Sequence, residues 1–400
     1  VHTRLTHSLE VARVGKALGT ELGYRIKKEL PDNFTPNDIG TIVEAACLAH
    51  DLGNPPFGHA GEESMSHWFE INDPIIFKSL SKDHKRDLIS IEGNAQGFRN
   101  LTQTENHLFD GGLRLTYATL GSFLKYPWSS RKVGKKFGAY LTEEKILDEI
   151  AKELGLINKG KHIWCRHPLA YLVEAADDIC YRIIDLEDAI ELRILSFEKV
   201  SGLLLKYFDS EKQNKIKSRF TSKDAFRVNL SRLRGPVFDF LIKGAIDGFM
   251  EGYESIMAGE LKGDVFEQLG EDSGSRKLII EAKKLSSEHI FKDPKKVEIE
   301  LGSYAAFETL LEAFCEAALE QANHLKSPKG EISVGWKSTL LLKLLSDHAP
   351  NENNSPPDTT WSSYQCLRRV VDFVSGMTDN YATYISKQLN GMGFSGIQRP

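Results

Sequence analysis

The sequence predicts an all-α protein, because apolar residues recur at the spacing of a buried helix face along most of the chain. The first run of this kind comprises Leu9, Val11, Val14, Leu18 and Leu22. Strand-like alternation of apolar and polar residues is nearly absent. Turn-forming residues, such as Pro31 and the run Asn54-Pro55-Pro56, separate the helical segments.

This pattern places helices near residues 5–29, 37–50, 59–71, 91–106, 112–124, 142–154, 167–191, 195–208, 222–260, 275–287, 296–326, 333–347 and 360–390. None of the breaks between them resembles an interdomain linker. We expect a single domain over residues 1–400, with a core at about 1–191 and 359–391. The segment at about 195–347 is interpreted as a peripheral helical elaboration, because residues 205–300 are rich in Lys and Glu and poor in candidate site residues.

Composition excludes some classes of partner. The chain has 400 residues, of which 41% are hydrophobic and 27% are charged, as in an ordinary folded protein. A formal net charge of −5 gives no overall attraction to nucleic acid or to an anionic membrane. Any anionic ligand must therefore be held by locally clustered Lys and Arg side chains.

The cysteines indicate a reducing compartment, and we expect a cytoplasmic protein. None of them shows CxxC spacing: Cys47, Cys165, Cys180, Cys315 and Cys366. No apolar run approaches the roughly 20 residues that span a bilayer, so no membrane partner is expected. The chain opens at Val1 inside a helical pattern, with Arg4 as its first candidate site residue. We therefore expect the natural N-terminus to lie upstream.

The most informative stretch is ACLAHDLGNPPFGHAGE, residues 46–62, in which His50 and Asp51 end an apolar helix and lead into a Gly/Pro-rich turn. At a helix end, an adjacent imidazole and carboxylate can approach one cation from two sides. The pair is therefore a candidate metal chelate. The alternative is structural, with His50 favoured by the helix dipole and Asp51 beside it as a capping residue.

A second acidic element lies in residues 167–190, HPLAYLVEAADDICYRIIDLEDAI, where Asp177, Tyr181 and Asp185 follow one another at four-residue spacing. The neighbouring residues are apolar, so we expect a buried helix with an acidic line along it. A buried carboxylate needs a cationic partner. Asp178 has Arg182 four residues on, which leaves Asp177 as the carboxylate available to a metal.

These residues form a candidate metal site. His7 sits at the edge of the apolar face of the first helix, and together with His50, Asp51 and Asp177 it gives two imidazoles and two carboxylates. Such a set suits a divalent ion such as Mn, Mg, Fe, Co or Zn. An octahedral ion would keep positions for water and a phosphate oxygen, which favours phosphate ester hydrolysis. His7 by itself is more typical of a residue in the core or at its rim.

The order His7, His50-Asp51, Asp177 resembles the HD-domain metal-dependent phosphohydrolases. More specifically, six segments in family order are similar to the deoxyguanosine triphosphate triphosphohydrolases: RLTHSLEVARV, AHDLGNPPFGHAGE, EGNAQGFR, LTYATLGSFLKYPW, AADDICYRIIDLEDA and DFVSGMTDNYA. The resemblance implies an HD-domain helical core elaborated with peripheral helices. It also implies hydrolysis of a deoxynucleoside triphosphate (dNTP), with dGTP as the default by family name only, and a homo-oligomer built from dimers.

The resemblance implies a role for a His and a Glu in catalysis, and these positions match His59 and Glu62. Their spacing of three residues places them on one helix face. We interpret His59 as the proton-transfer group and Glu62 as the residue that orients it. In the alternative interpretation, His59 caps the helix and Glu62 only favours its N-terminus.

Four further residues are candidate substrate ligands. Arg4 precedes His7 by about one turn, and the resemblance implies a matching Arg on the α-phosphate side. Lys125 is a second phosphate candidate, although a solvated surface lysine is an equal alternative. With Asp177, the residues Tyr181 and Asp185 form a line that is similar to one in the mammalian SAM-and-HD-domain dNTP hydrolase. By this resemblance, we expect Tyr181 to stack against the deoxyribose and Asp185 to accept a hydrogen bond from its 3′-hydroxyl. Such contacts can discriminate against ribonucleotides.

Polar residues on otherwise apolar helices are candidate pocket supports: Glu92, Asn94, Gln96, Thr378 and Asp379. Hydrogen bonding within the core is an equal alternative for them.

The segment 127–140, PWSSRKVGKKFGAY, is a basic loop with Arg131, Lys132, Lys135 and Lys136. A solvated loop is the simpler interpretation. A regulatory dNTP site or a contact with single-stranded DNA is the alternative, supported by Trp128 and Phe137.

Three functions are thus distinguished. The favoured one is attack of water on the α-phosphorus of a dNTP, which releases a deoxynucleoside and inorganic triphosphate. The second is an HD phosphohydrolase of another nucleotide phosphate ester. The third is a nucleotide-binding or nucleic-acid-binding HD protein without turnover, against which the complete set of metal ligands counts.

Overall fold

The computed structural model describes residues 3–78, 80–104, 112–132, 134–221, 226–290, 294–327, 332–347 and 362–392. In these ranges the chain is predominantly helical, so the prediction of an all-α fold is confirmed. The α-helices are α1 Arg4–Arg25, α2 Pro36–Ala49, α3 His59–Ile71, α4 Asp73–Ile76, α5 Lys82–Ile89, α6 Gly93–Arg99, α7 Tyr117–Phe123, α8 Glu144–Glu153, α9 Ala170–Glu191, α10 Phe197–Leu205, α11 Ser210–Lys217, α12 Phe226–Glu251, α13 Tyr253–Met257, α14 Gly274–His289, α15 Pro294–Lys326, α16 Trp336–Asp347, α17 Ser363–Ser375 and α18 Asp379–Leu389.

The remaining regular structure is short. A π-helical turn at Asn100–Thr104 continues α6, and 3₁₀ turns lie at Leu141–Glu143 and Phe266–Gln268. Strands β1, Asn158–Gly160, and β2, Ile163–Trp164, form an antiparallel hairpin. Among the described residues, no helix combines the length and the apolar character that crossing a membrane requires.

The helix bounds differ from the prediction at identifiable places. The segment 360–390 contains two helices, because Thr378 accepts a hydrogen bond from the N–H of Tyr381 and so starts α18 anew. The segment 222–260 is interrupted at Gly252, between α12 and α13. Helices α4, α5 and α11 were not expected, since each is only four to eight residues long and carries too few apolar positions to show a period. Predicted helix residues 105–106, 222–225 and 360–361 lie outside the described residues.

Two hydrophobic cores organise the helices. The first packs α1, α2 and α9 together with α7, α8, α10, α12 and α14. The second packs α3 and α5 against α15, α16, α17 and α18. Residues 195–347 thus contribute to both cores: Leu233 and Ile246 are fully buried in the first, and Phe307 and Leu310 are fully buried in the second.

Close packing of α1 against α2 brings the N-terminal part of α1 beside the C-terminal end of α2. Glycines on α1 make this approach possible. A Cβ atom at Gly15 would lie 2.4 Å from the sulfur of Cys47, and one at Gly19 would lie 2.8 Å from the carbonyl oxygen of Ile39. Any larger residue would separate the two helices. The sequence analysis did not identify this feature, although it fixes the distance between the first two candidate metal ligands.

The turn between α2 and α3 also has a constrained backbone. Phe57 adopts φ +64°, which is unusual for an aromatic residue, and Gly58 follows at φ +61°. The N–H of Phe57 donates to Asp379 Oδ1 at 3.0 Å, which holds this conformation. Gly53 lies against α6, where a Cβ atom would come within 2.0 Å of the backbone nitrogen of Gly97. The turn therefore sets where α3 begins.

Candidate active site

Most of the sequence-predicted site residues line a single cavity of about 660 Å³ between α1, α3, α6, α7 and α9. The predicted residues on its wall are Arg4, His7, His50, Asp51, His59, Asn94, Lys125, Asp177, Tyr181 and Asp185. Glu62 lies directly behind His59, as described below. Segments far apart in the sequence thus converge on one polar cavity, which the spacing of the motifs alone could not establish.

His7, His50 and Asp177 form the centre of the cavity. One ligand atom from each lies within 4.8 Å of the other two. The Nε2 atoms of His7 and His50 lie 3.2 and 3.4 Å from the same oxygen, Oδ1 of Asp177. Each residue comes from a different element: α1, the residue after α2, and α9. The geometry is that of three donor atoms gathered around a common point.

The hydrogen bonding of His50 favours a cation at this point. Its Nδ1 donates to the carbonyl oxygen of Cys47 at 2.7 Å, so this ring nitrogen carries a proton. Its Nε2 is buried and makes no hydrogen bond, although oxygens of Asp51 and Asp177 each lie 3.4 Å away. A buried nitrogen facing two carboxylates is well suited to a divalent ion. The residues therefore fit a metal site.

The charges of these groups are strongly coupled. Burial by itself lowers the pKa of His50, but the neighbouring carboxylates of Asp177 and Asp51 raise it to about 9. Burial would raise the pKa of Asp177, but the adjacent imidazoles of His50 and His7 hold it well below its usual range. The Asp177 carboxylate is therefore ionised and able to bind a cation.

Asp51 is placed differently from the other three predicted ligands. Its Oδ1 lies 3.4 Å from Nε2 of His50 and accepts a hydrogen bond of 2.7 Å from the amide nitrogen of Asn54. Asn54 therefore orients this carboxylate, a role that the sequence analysis missed. The signal was present as an Asp and an Asn three residues apart in the turn. Asp51 as the fourth metal ligand stays a prediction.

His59 and Glu62 form a hydrogen-bonded pair at the start of α3. Nδ1 of His59 lies 3.0 Å from Oε2 of Glu62, while Oε1 of Glu62 accepts from the N–H of Gly93 at 2.7 Å. The His59 side chain is 84% exposed and that of Glu62 only 11%, so the carboxylate is fixed and the imidazole faces the cavity. The hydrogen bond with Glu62 raises the pKa of His59 above its ordinary value.

Two lysines contribute positive charge to the cavity, and each is paired with a carboxylate. Nζ of Lys125 lies 3.0 Å from Oε1 of Glu174. Nζ of Lys136 lies 2.8 Å from Oε2 of Glu92 and 3.9 Å from Oε2 of Glu62. Lys125 is thus a residue of the cavity wall rather than a freely solvated surface lysine. Lys136 was assigned only to the basic loop, because nothing in its local sequence distinguishes it from Lys135.

Arg4 is held by the turn that follows α2. Its guanidinium donates to the carbonyl oxygens of Asn54 at 2.8 Å and Pro55 at 2.7 Å, and to Oδ1 of Asp379 at 3.3 Å. Its side chain remains 45% exposed at the edge of the cavity. The guanidinium is therefore oriented on the wall of the cavity that contains His7, His50 and Asp177, with part of its surface available to a ligand.

The acidic helix α9 presents Tyr181 and Asp185 to the cavity, as its four-residue spacing predicts. Burial, followed by the charge of Asp185, raises the pKa of Tyr181 to about 12, so the phenol keeps its proton. Asp178 also lines the cavity, and its Oδ1 lies 3.3 Å from Nη2 of Arg182. This is the local pair that the sequence predicted.

Three of the five candidate supports, Asn94, Gln96 and Asp379, have different positions. Asn94 lines the cavity, and its side-chain amide donates to Oε1 of Glu92 at 2.6 Å. Asp379 braces the site from outside through Arg4 and Phe57. Gln96 is fully buried and donates to Asp372 at 2.9 Å while it accepts from Arg368 at 2.8 Å. Gln96 thus has the core hydrogen bonds that the sequence left open as an alternative.

The residues of the basic loop differ in their contacts and exposure. Arg131 pairs with Asp83 and Glu144, and Lys132 lies 3.4 Å from the centre of the Trp128 ring. Lys135 is 90% exposed. Phe137 is 1% exposed, so its ring is not available to stack on a nucleobase.

The class of protein follows from this fold and from comparison with known proteins. Residues 4–112 match the HD domain. That range contains His7 and the His50-Asp51 pair, and His7 and His50 lie beside Asp177 in the structure. A helical fold of this type with a His/Asp site defines an HD-domain phosphohydrolase that depends on a divalent metal.

The relatives then give the family. A protein of Pseudomonas aeruginosa (strain LESB58) named deoxyguanosinetriphosphate triphosphohydrolase-like is 43% identical over 98% of this chain and 86% of its own length. One of the same name from Synechocystis sp. is 35% identical over 98% and 87%. A deoxyguanosinetriphosphate triphosphohydrolase of Enterobacter sp. (strain 638) is 31% identical over 96% and 86%. The chain belongs to the deoxyguanosinetriphosphate triphosphohydrolase family, and it is a hydrolase.

Proposed function

We propose that the protein hydrolyses a deoxynucleoside triphosphate at the α-phosphate, with dGTP as the default substrate, and releases the deoxynucleoside and inorganic triphosphate. The supporting observation is the convergence in one cavity of the His7, His50 and Asp177 cluster with the His59–Glu62 pair. Lysines on the same wall supply charge for a phosphate chain. The names of the relatives in the family are consistent with this substrate class.

His7, His50, Asp51 and Asp177 would hold the metal ion, which is Mn, Mg, Fe, Co or Zn. The ion supplies Lewis-acid stabilisation of the negative charge that develops on a phosphoryl group. The protein fixes the donors themselves, since Cys47 orients the ring of His50 and Asn54 orients the carboxylate of Asp51.

The phosphate chain is bound by cations around this centre. Arg4 stands on the α-phosphate side, where two backbone carbonyls and Asp379 hold its guanidinium in place. Lys125 and Lys136 extend from another part of the wall and bind the remaining phosphates. Positioning of this kind replaces the solvation that the anionic chain loses in the cavity.

Proton transfer is assigned to His59. Its Nδ1 is hydrogen-bonded to Glu62, which leaves Nε2 to exchange a proton with the reacting oxygens. Glu62 fixes the tautomer and the orientation of the ring, because Gly93 holds the opposite carboxylate oxygen. Glu62 can itself assist the attacking water.

The sugar is placed against α9. Tyr181 packs against the deoxyribose, and Asp185 accepts a hydrogen bond from the 3′-hydroxyl. A tyrosine ring close to C2′ leaves no room for a 2′-hydroxyl, so ribonucleotides are disfavoured by steric exclusion and by lost hydrogen bonds.

Product analysis tests the proposal. The metal-supplemented protein is incubated separately with each dNTP and each NTP, and triphosphate, pyrophosphate and phosphate are resolved. Inorganic triphosphate from dNTPs, with at least one dNTP preferred, is the expected result. Exclusive release of phosphate would contradict the assigned reaction and indicate a different HD phosphohydrolase. Binding without any turnover would indicate a nucleotide-binding protein.

Other predictions from the sequence are carried forward as proposals. These are a homo-oligomer built from dimers, a regulatory dNTP, a contact with single-stranded DNA, and a cytoplasmic location. We also propose that the chain is a single domain, with a core at about 1–191 and 359–391 and a peripheral part at about 195–347. The cysteines are consistent with a reducing compartment, since all five lack a disulfide partner.

A further inference from the structure

Glu174 occupies an unusual position in the cavity. It lies on α9 three residues before Asp177, and its side chain is only 14% exposed. One carboxylate oxygen lies 3.0 Å from Nζ of Lys125, and the other accepts a hydrogen bond of 2.8 Å from Nη1 of Arg166. Glu174 and Lys125 line the cavity, whereas Arg166 holds the carboxylate from the side of a neighbouring pocket.

Lys125, the proposed phosphate ligand, is therefore already paired with a carboxylate of the protein. Burial lowers the pKa of Lys125, but the charge of Glu174 outweighs it and the pKa is raised, so Lys125 is fully protonated. Its ammonium is therefore already ion-paired before any ligand enters. A phosphate group that binds Lys125 must share or displace a carboxylate that Arg166 prevents from moving away.

We propose that Glu174 is a positioning residue that competes with the phosphate chain for Lys125 and so promotes release of the triphosphate product. This inference rests on the proposed function, because it requires a phosphate chain at Lys125. Between turnovers the carboxylate holds the lysine in its binding geometry. When the phosphate chain is bound, the nearby carboxylate of Glu174 weakens the binding of that chain, because like charges in a partly buried cavity repel. Glu174 thereby promotes release of the triphosphate product, and it also lowers the affinity for the phosphate chain of the substrate.

The test is direct binding of inorganic triphosphate, measured by calorimetry at a fixed total Mn²⁺ concentration for every variant. Glu174→Gln is compared with Glu191→Gln, which removes a carboxylate paired with Arg227 at the far end of the same helix. We expect Glu174→Gln to bind triphosphate about fivefold more tightly, the size of one partly screened charge interaction, and Glu191→Gln to change affinity less than about twofold. Unchanged or weaker binding by Glu174→Gln would overturn the proposal.

Steady-state kinetics separate competition from a merely structural role. If Glu174 competes for Lys125, Glu174→Gln lowers both KM and the inhibition constant of triphosphate. If it only supports the fold, KM rises or stays constant while kcat falls, which contradicts the inference. Because the calorimetric measurement needs no turnover, it remains valid even when no dNTP is hydrolysed. Absence of triphosphate binding by the unmodified protein would also refute the inference.

Two further variants keep the inference testable if Glu174→Gln does not fold. Glu174→Asp keeps the charge but shortens its reach toward Lys125, so triphosphate affinity should rise by a smaller factor. In a Lys125→Met background, the gain from Glu174→Gln should shrink at least about threefold, because competition requires both partners. An equal gain in both backgrounds would indicate a long-range charge effect and contradict competition for Lys125.

Discussion

The carboxylate of Asp379, at the start of α18, accepts a hydrogen bond of 3.3 Å from the guanidinium of Arg4, at the start of α1. The same oxygen accepts the N–H of Phe57 at 3.0 Å, in the turn before α3. Three elements that carry candidate site residues are thus connected through one atom. Asp379 does not line the cavity, so its effect on activity must pass through the position of Arg4.

Asp379→Asn should lower kcat/KM by only about fivefold to tenfold. The loss is modest because the side chains of the ion pair are 45% and 54% exposed, and solvent screens their attraction. We expect the change mainly in KM, since Arg4 is proposed to bind the phosphate chain. Steady-state kinetics with dGTP measure it. The control is Asp247→Asn, which removes a surface carboxylate near Lys243. Equal kinetics for the two variants would contradict a bracing role for Asp379.

Asp177→Ala should abolish metal retention and turnover, because it removes the carboxylate oxygen that faces both His7 and His50. Asp178→Ala is the matched control, since Asp178 pairs with Arg182 instead. Metal content by mass spectrometry and dNTP turnover are measured for both variants. Asp178→Ala should leave both properties largely intact. The opposite pattern would show that the metal-facing position on α9 is wrongly assigned.

Gly19→Ala should destabilise the protein by ~1–3 kcal/mol and weaken metal binding, because the new methyl group would meet backbone atoms of α2 at 2.8 Å. Displacement of α1 moves His7 away from His50. Gly202→Ala in α10 is the control, as a Cβ atom there meets nothing within 4 Å. That variant should gain ~0.5–1 kcal/mol from helix propensity. Denaturant unfolding measures the free energy of unfolding of both variants, and equal changes in that free energy would refute the close-packing account.

Glu62→Gln should lower kcat/KM by about 10- to 100-fold and shift its pH profile. The hydrogen bond with Glu62 raises the pKa of His59, so the protonated imidazole persists to higher pH than in an ordinary histidine. If His59 acts as the proton donor, activity is present below this pKa and is lost as the pH rises through it. Loss of the carboxylate lowers the pKa, so the basic limb of the profile should move to lower pH.

The neighbouring Glu63→Gln provides the control for that profile, since the Glu63 side chain is 65% exposed and lies 3.9 Å from Lys135. Its kinetics should match the unmodified protein. A basic limb that stays in place in Glu62→Gln would mean that another group donates the proton.

Local sequence determined much of this protein. The apolar period of helices depends on residues three and four positions apart, so α1, α2, α3 and α9 are all recognisable from the sequence. The pairing of His59 with Glu62 and of Asp178 with Arg182 follows from the same spacing. The candidate metal ligands were recognised by residue type, by their positions at helix ends or along an acidic line, and by resemblance to a family.

Only the tertiary structure decided which distant residues meet. Lys136 and Lys135 are neighbours with the same side chain, yet one pairs with Glu92 in the cavity and the other is exposed. Asp379 reaches Arg4 across 375 positions of sequence. Such contacts depend on how helices pack and where loops end, and no short-range pattern encodes them. Gln96 entered the core rather than the cavity for the same reason, because Asp372 and Arg368 approach it from α17.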